Sequence, residues 1–143
     1  MEGAVTGDLA AFLAARLDED EAVAKLAARE GSIWTQDDPD RYPGAISSLG
    51  GIVVYDEGAP DENQAPHIAR HDPARVLREV AAKRTLLRYF TDPQTGEPVS
   101  IGIAATATDL GRNRMTAIPG SWILRELAAV YSDHPDYRQE WAP

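Results

Sequence analysis

The chain has 143 residues, carries a formal charge of −9 and contains no cysteine. This length suits a single domain, residues 1–143, that can bury a core without disulfides. The missing cysteines exclude disulfides, thiolate zinc sites and thiol nucleophiles. No apolar run approaches the roughly 18 residues of a membrane span, and the first residues lack the basic start of a signal peptide. We therefore expect a cytoplasmic protein that has no membrane partner.

The negative charge is unevenly placed along the chain. Residues 1–72 hold 15 acidic residues against 5 Lys or Arg, whereas residues 73–143 hold 8 against 9. Nucleic acid binding needs a basic surface that neutralises phosphates, so direct binding of nucleic acid is not expected. The imbalance indicates either two halves that complement each other within the fold or an acidic face for a basic protein partner.

A long amphipathic helix is predicted for residues 8–30. Asp8 is placed to cap its start, and Gly31 stands where a helix terminator is expected. At 100° per residue, apolar side chains from Leu9 to Ala27 fall on one stripe. Val23 belongs to this stripe, which predicts one buried face.

A β-hairpin is predicted for residues 45–55. Two β-prone runs, AISS and IVVY, lie on either side of a Gly-Gly pair, a pattern typical of strands joined by a tight turn. The preceding run DDPDRYPG (37–44) has the composition of a turn. A second extended segment is predicted over residues 98–106. The glycine pair matches a phosphate-binding loop poorly, because no Lys-Ser or Lys-Thr follows it.

A second long helix is predicted from Asp72-Pro73 to about Phe90. Aspartate at the N-cap accepts hydrogen bonds from the first turn, and proline at the first helical position lacks an N–H that would be unpaired anyway. Shorter helical turns are predicted before it, over residues 61–71, with Asp61 as their cap.

A third helix is predicted over residues 121–132, with Ser121 as its cap. The tail that follows contains Trp141, whose large side chain is expected to dock the tail onto the fold. Together these signals predict an α+β fold with two long packed helices, a C-terminal helix and a small antiparallel β-hairpin sheet. Strands and helices do not alternate regularly, which disfavours a parallel architecture.

The three histidines are the candidate site for a metal ion. His67 and His71 lie four residues apart in HIARHDP, and on a helix this spacing places two zinc ligands on one face. His134, in SDHPDYR, would supply a third ligand, and three protein ligands plus water would suit hydrolysis. The pair lacks the glutamate of an HExxH motif, so no general base is evident. The structural alternative is that His71 ends one helix, where a cation or donor near the C-terminus is favourable, and that His134 lies at a helix start.

A buried ion pair between Asp20 and Arg84 is also predicted. Periodicity places each of these charges on the apolar face of one long helix, where a lone charge would cost several kcal/mol. An ion pair across the packed helices offsets that cost, with Arg16 as a competing partner for Asp20. The functional alternative is that Asp20 is a carboxylate in a pocket. If Asp20→Asn and Arg84→Met were additive in stability, the pair would not exist.

Three stretches resemble a family of uncharacterised proteins from actinobacteria and their phages. They are DLAAFLAARLDEDEAVA (8–24), VVYDEGAPDENQAPHIARHDPARVLREVAAKR (53–84) and YSDHPDYRQEW (131–141). The family is a domain of unknown function, so the resemblance implies no activity and no catalytic residues. It implies a phage or prophage origin and a small accessory role in the cell. Residues 91–120 depart from the usual family linker, and Pro66 stands where a helix-friendly residue is expected.

Two functions remain open from the sequence. No GxSxG elbow, SxxK or other recognised catalytic motif occurs, which favours a non-enzymatic protein-interaction module with an acidic face. Its partner is expected to be a basic protein, and an acidic decoy of a DNA-binding protein is one form of this function. The alternative is a metal-dependent hydrolase or metal-binding protein that uses His67, His71 and His134. No cofactor is expected for the interaction module, and zinc is the cofactor of the alternative. The sequence leaves the oligomeric state open.

Overall fold

The structure is a computed structural model, and it describes residues 2–103, 108, 111–112 and 116–143. Four α-helices lie wholly within these residues: α1, Glu2–Ala27; α2, Gln64–Arg70; α3, Pro73–Tyr89; and α4, Gly120–Ala129. Five strands accompany them: β1, Thr35–Gln36; β2, Ile46–Ser48; β3, Gly51–Val54; β4, Ile101–Ile103; and β5, Thr116–Ile118. Single turns of 3-10 helix span Ala28–Glu30 and Gln139–Trp141. The predicted α+β class is confirmed.

The chain divides into two compact units. The terminal unit comprises Met1–Leu17 and Ala82–Pro143, and the central unit comprises Asp18–Ala81. The central unit holds 14 acidic residues against 6 Lys or Arg, whereas the terminal unit holds 9 against 8. Nearly all of the net negative charge therefore belongs to the central unit. The single domain predicted for residues 1–143 stays a prediction.

The terminal unit buries an apolar core between helix faces. Leu9 and Leu13 of α1 and Leu124 of α4 are almost fully buried there. Leu87 of α3 and Phe90, which follows it, pack against this core. The two long helices and the C-terminal helix therefore share one core, as the sequence predicts, and removing this apolar surface from water stabilises their packing.

A two-stranded antiparallel sheet completes the terminal unit. β4 pairs with β5, so that Ile101 lies opposite Ile118. The extended segment predicted over residues 98–106 thus contains a strand, and its residues 104–106 lie outside the described part of the chain.

The predicted cap of the third helix is wrong. α4 begins at Gly120, one residue before Ser121, and its N-cap residue is Pro119 in an extended conformation. A Cβ atom on residue 120 would lie 2.1 Å from the carbonyl oxygen of Val99. Because the backbone approaches so closely, only glycine fits at this helix start.

The central unit contains a three-stranded antiparallel sheet with the strand order β1-β2-β3. β2 and β3 form the predicted hairpin, with Ser48 opposite Gly51 and Ser47 opposite Ile52. β1 pairs with the other side of β2, where Thr35 lies opposite Ser47. β1 is not predictable from the sequence, because two residues are too few to show strand alternation.

The hairpin is fastened to the end of α1. Gly31 terminates the helical region as predicted, with a φ of 130° and an N–H that donates to the carbonyl of Ala28. The Ser48 hydroxyl donates to the carbonyl oxygen of Glu30 at 2.9 Å. A Cβ on Gly50 would lie 1.9 Å from that same oxygen. The turn of the hairpin therefore sits directly against the last turn of this helical segment.

The start of α1 differs from the prediction. The helix begins at Glu2, so Asp8 lies within it and does not act as the N-cap. The Asp8 carboxylate instead lies 2.8 Å from the guanidinium of Arg138. An aspartate can act as an N-cap only where the residues before it are not helical, and here the residues before Asp8 already belong to α1.

The predicted cap of α3 is confirmed, whereas the N-cap residue of α2 is Asn63, whose side chain makes no capping hydrogen bond, and Asp61 closes the turn before that helix. Asp61 accepts hydrogen bonds from the N–H of Asn63 and of Gln64, and its own N–H donates to the Gln64 side chain. Pro66 fits because it lies in the first turn of α2, where its missing N–H has no intrahelical partner. Asp72 caps α3, because its Oδ1 accepts the N–H of Arg75 at 2.7 Å.

Candidate functional site

His67 and His71 meet at the C-terminal end of α2. Their ring centroids are 4.3 Å apart, with a 38° angle between the rings, and both side chains are exposed. Nδ1 of His71 lies 2.9 Å from the carbonyl oxygen of His67. Since a carbonyl oxygen only accepts hydrogen bonds, Nδ1 of His71 carries the proton, and Nε2 holds the lone pair when the ring is neutral. This arrangement resembles the way a backbone carbonyl orients a metal-binding imidazole.

His134 belongs to the terminal unit, whereas His67 and His71 belong to the central unit. Its Nδ1 lies 2.9 Å from Nη1 of Arg16 and 3.1 Å from the backbone nitrogen of Asp136. Among the described residues, no group of three or more histidine or carboxylate side chains is arranged to hold a metal ion. The three-histidine zinc site stays a prediction, and Nδ1 of His134 is already engaged by two donors.

Asp20 and Arg84 are both half-buried. Asp20 lies on α1 in the central unit, and Arg84 lies on α3 in the terminal unit. Their predicted ion pair stays a prediction. Arg16, the competing partner, is 7% exposed and contacts His134.

An aromatic cluster surrounds Arg16 in the terminal unit. The Arg16 guanidinium carbon lies 5.1 Å from the centre of the Phe12 ring. The Phe12 ring also contacts Tyr137 and Trp141, at centroid distances of 6.0 and 5.0 Å. Trp141 is 2% exposed, so the predicted docking of the tail is confirmed. The close packing of these aromatic rings gives the cluster a structural role.

The central unit carries an exposed apolar surface that the sequence analysis missed. Two adjoining clefts of about 330 and 340 Å³ share Ala27 and Trp34 in their walls. We call this region the Trp34 surface and define it by Val23, Leu26, Trp34, Ile52, Val53 and Val76. It joins the C-terminal part of α1, the strand β3 and the first turn of α3 within one unit.

The Trp34 surface contains large apolar side chains that face solvent. Val23 is 67% exposed, Leu26 is 57% exposed and Ile52 is 54% exposed. Among the described residues, eight of the twelve exposed large apolar side chains lie in the central unit. The prediction that Val23 lies on a buried stripe is wrong, because helical periodicity locates an apolar face but not a partner that covers it. Contiguous exposed apolar surface of this kind often marks a binding site.

Trp34 is held in place by two hydrogen bonds within the central unit. Its backbone N–H donates to Oδ2 of Asp72 at 3.2 Å, and its indole N–H donates to the carbonyl of Gly31 at 3.1 Å. Because the other carboxylate oxygen of Asp72 caps α3, one side chain connects the Trp34 segment to a helix start. The indole ring is therefore held in a fixed position within the central unit.

The chain belongs to DUF6221, a family of unknown function, and the match spans residues 6–143. No curated protein and no solved structure gives a significant match. Among the described helices, none combines the length and the apolar character that crossing a membrane requires.

Proposed function

We propose that this protein is a non-enzymatic interaction module whose central unit binds a basic protein partner through the Trp34 surface. The observation that carries the proposal is the concentration of exposed apolar side chains on the unit that also holds nearly all of the negative charge. Apolar burial supplies affinity, and the acidic surroundings steer a basic partner and select it over acidic proteins.

We further propose an accessory role in the cytoplasm of an actinobacterium or of an actinobacterial cell infected by a phage. The excess of Arg over Lys, 12 to 2, suits a GC-rich genome, and the acidic charge suits the decoy form of the function. In that form the partner would be a DNA-binding protein, whose basic surface normally meets phosphate.

Site-specific photocrosslinking in the cells that carry the chain tests the proposal. A benzophenone amino acid would replace Leu26 or Ile52 on the Trp34 surface, and would replace Trp122 or Val130 in control variants. Trp122 and Val130 are exposed apolar residues of the terminal unit, so they match the test positions in exposure. We expect one protein to crosslink from the Trp34 surface alone, through a peptide rich in Lys or Arg.

Two outcomes of this experiment contradict the proposal. Equal crosslinking from the control positions would show nonspecific apolar contact. A specific crosslink to an acidic segment would show that negative charge does not select the partner.

Metal binding is the second candidate function, and the contact between His67 and His71 favours it. The carbonyl of His67 fixes the His71 ring with Nε2 available, and an adjacent imidazole supplies a second nitrogen ligand. The hydrolase form would also need His134 as a third ligand and a water. Calorimetric titration of untagged protein with Zn²⁺ tests this function, with His71→Gln as the variant and His134→Gln as its comparison.

The two variants separate the forms of the metal hypothesis. Binding lost in His71→Gln but kept in His134→Gln would establish a two-histidine site, and loss in both variants would establish the three-histidine site. Metal binding that survives His71→Gln, or no binding by the parent protein, would end this candidate.

A further inference from the structure

β3 is an edge strand of the central sheet. In the part of the chain that the structure describes, it pairs with β2 and with no second strand. Ile52 and Val53 on this strand are exposed. Natural edge strands are usually shielded by lysine, proline, a covering element or a β-bulge, and β3, GIVV, contains neither lysine nor proline. It carries one bulge at Val53, because Ser47 lies opposite Ile52 and Ile46 lies opposite Val54. Its free edge therefore presents backbone donors and acceptors to an additional strand.

We propose that the partner binds as an extended segment that adds to β3 as a fourth strand, with basic residues in that segment. This inference rests on the proposed function and specifies its binding mode. Main-chain hydrogen bonds to the edge supply affinity in such complexes, and pockets for alternate side chains supply specificity.

A pocket for such side chains lies beside the strand. The cleft of about 330 Å³ is bordered by Ile52 and Val53 of β3, by Leu26 of α1 and by Trp34. Ile52 and Val53 both border this cleft, where the register of β3 shifts. An added strand, whose successive side chains point to opposite faces, would direct every second residue toward it. One extended segment with apolar residues at alternate positions could therefore pair with the edge and fill the cleft at the same time.

The negative charge of the central unit indicates that the added segment also contains basic residues. Asp56 and Glu57 lie two and three residues after the end of β3 and are exposed, and Glu30 lines the cleft together with Arg29. The central unit as a whole has an excess of eight negative charges. A second copy of this chain paired through β3 would bring these like charges together, so self-association is disfavoured and a segment with Lys or Arg is favoured.

The turn of the hairpin next to the β3 edge is held in place by hydrogen bonds. The hydroxyl of Ser48 connects the hairpin to the carbonyl of Glu30, and it also accepts the N–H of Gly50 at 3.2 Å. These bonds fix the turn of the hairpin against the end of the helical segment. A preformed edge reduces the entropy lost on binding, and a short segment can then bind measurably.

A synthetic heptapeptide amide, Lys-Val-Lys-Val-Lys-Val-Lys, tests the inference by NMR titration of the full chain. We expect saturable shifts of the amide signals of β3 and of the Trp34 indole signal, and weaker binding at high salt. Two N-methylated peptides locate the main-chain pairing, one blocked at the valines and the other at the lysines. Since alternate residues of a strand direct their N–H groups to the same edge, one of them should bind at least ~10-fold more weakly and the other about equally to the parent peptide.

A matched pair of neutral variants tests the cleft. Ile52→Thr keeps a β-branched side chain but removes apolar surface, and we expect about 5-fold weaker peptide binding. Val130→Thr makes a comparable change at an exposed position of the terminal unit, and we expect binding within about 2-fold of the parent. Amide spectra of both variants would confirm that the fold is kept.

The outcomes separate the binding mode from the proposed function. Equal affinity for both N-methylated peptides, with Ile52→Thr still weakened, would overturn strand addition and leave the Trp34 surface as the binding site. An equivalent Glu-Val peptide that binds as well as the Lys-Val peptide would overturn the basic partner. Sedimentation that shows a dimer, abolished by Ile52→Thr, would make a second copy the occupant and overturn the inference.

Discussion

Arg16 donates a hydrogen bond to Nδ1 of His134 at 2.9 Å, although 118 positions separate them in the chain. The donor is buried on α1, and its guanidinium lies over the Phe12 ring. The carboxylate of Asp136, at 3.6 Å from Nη1, adds a charged acceptor beside the same guanidinium. The contact fastens the segment after α4 to the first helix, and it also fixes which nitrogen of His134 carries a proton.

The tautomers of His134 and His71 should therefore be opposite. An arginine is always a donor, so neutral His134 must carry its proton on Nε2, whereas His71 carries its proton on Nδ1 to reach a carbonyl oxygen. Long-range ¹⁵N–¹H correlation spectra at a pH where both rings are neutral distinguish the two forms. The His67 ring, recorded in the same spectra, provides a comparison within the same protein. A spectrum in which His134 is protonated on Nδ1 would contradict the Arg16 contact.

The Trp141→Ala variant should destabilise the fold strongly. Trp141 is almost completely buried against Phe12, and removing a buried tryptophan typically costs about 3–5 kcal/mol in the free energy of unfolding. Trp122→Ala is the control, because that side chain is 66% exposed and its removal should cost below ~1 kcal/mol. Urea unfolding followed by circular dichroism measures both. Equal losses in the two variants would show that the tail is not docked.

Local capping signals explain what the sequence could predict of the fold. Asp72-Pro73 predicts a helix start because its chemistry is complete within four residues, and the structure begins α3 at Pro73. The hairpin is equally local, since its glycines and β-prone runs are adjacent in sequence. Ser121 fails as a cap because the decisive contact, the approach of Val99 to Gly120, comes from a distant part of the chain.

Helical periodicity predicts one contact of the candidate sites and fails to predict the others. The pairing of His67 with His71 is foreseeable from their spacing, and the rings do meet. The contact of His134 with Arg16 is not foreseeable, because it joins residues from opposite ends of the sequence. Val23 has the position of a core residue on its helix, yet it is exposed, since a stripe shows an apolar face and not what packs against it.

The turn around Asp92 should be sensitive to acid. Backbone N–H groups of Gln94 and then Thr95 donate to Oδ1 of Asp92 and hold the pKa of that carboxyl below its ordinary value. Because the pKa is lower in the folded turn than in the unfolded chain, its contribution is present above the unfolded pKa and is lost as the pH falls through the folded pKa. Amide shifts of Gln94 and Thr95 against pH measure this. In Asp92→Asn, which keeps an acceptor without a charge, that titration should disappear, and its persistence would contradict the assignment.

Asp72→Ala should weaken both the start of α3 and the support of Trp34. One carboxylate oxygen caps the helix through the N–H of Arg75, and the other accepts the N–H of Trp34, so the variant leaves two donors without this partner. We expect a loss of about 1–3 kcal/mol in urea unfolding, of which the cap accounts for about 1. Asp61→Ala is the control, because it removes an exposed carboxylate that accepts the N–H groups of Asn63 and Gln64 in the turn before α2, and it should cost roughly 0.5–1 kcal/mol. Asp72→Asn keeps the side-chain acceptor for the cap and should recover most of the stability. If Asp72→Ala cost no more than Asp61→Ala, Asp72 would act as a cap alone and would give Trp34 no measurable support.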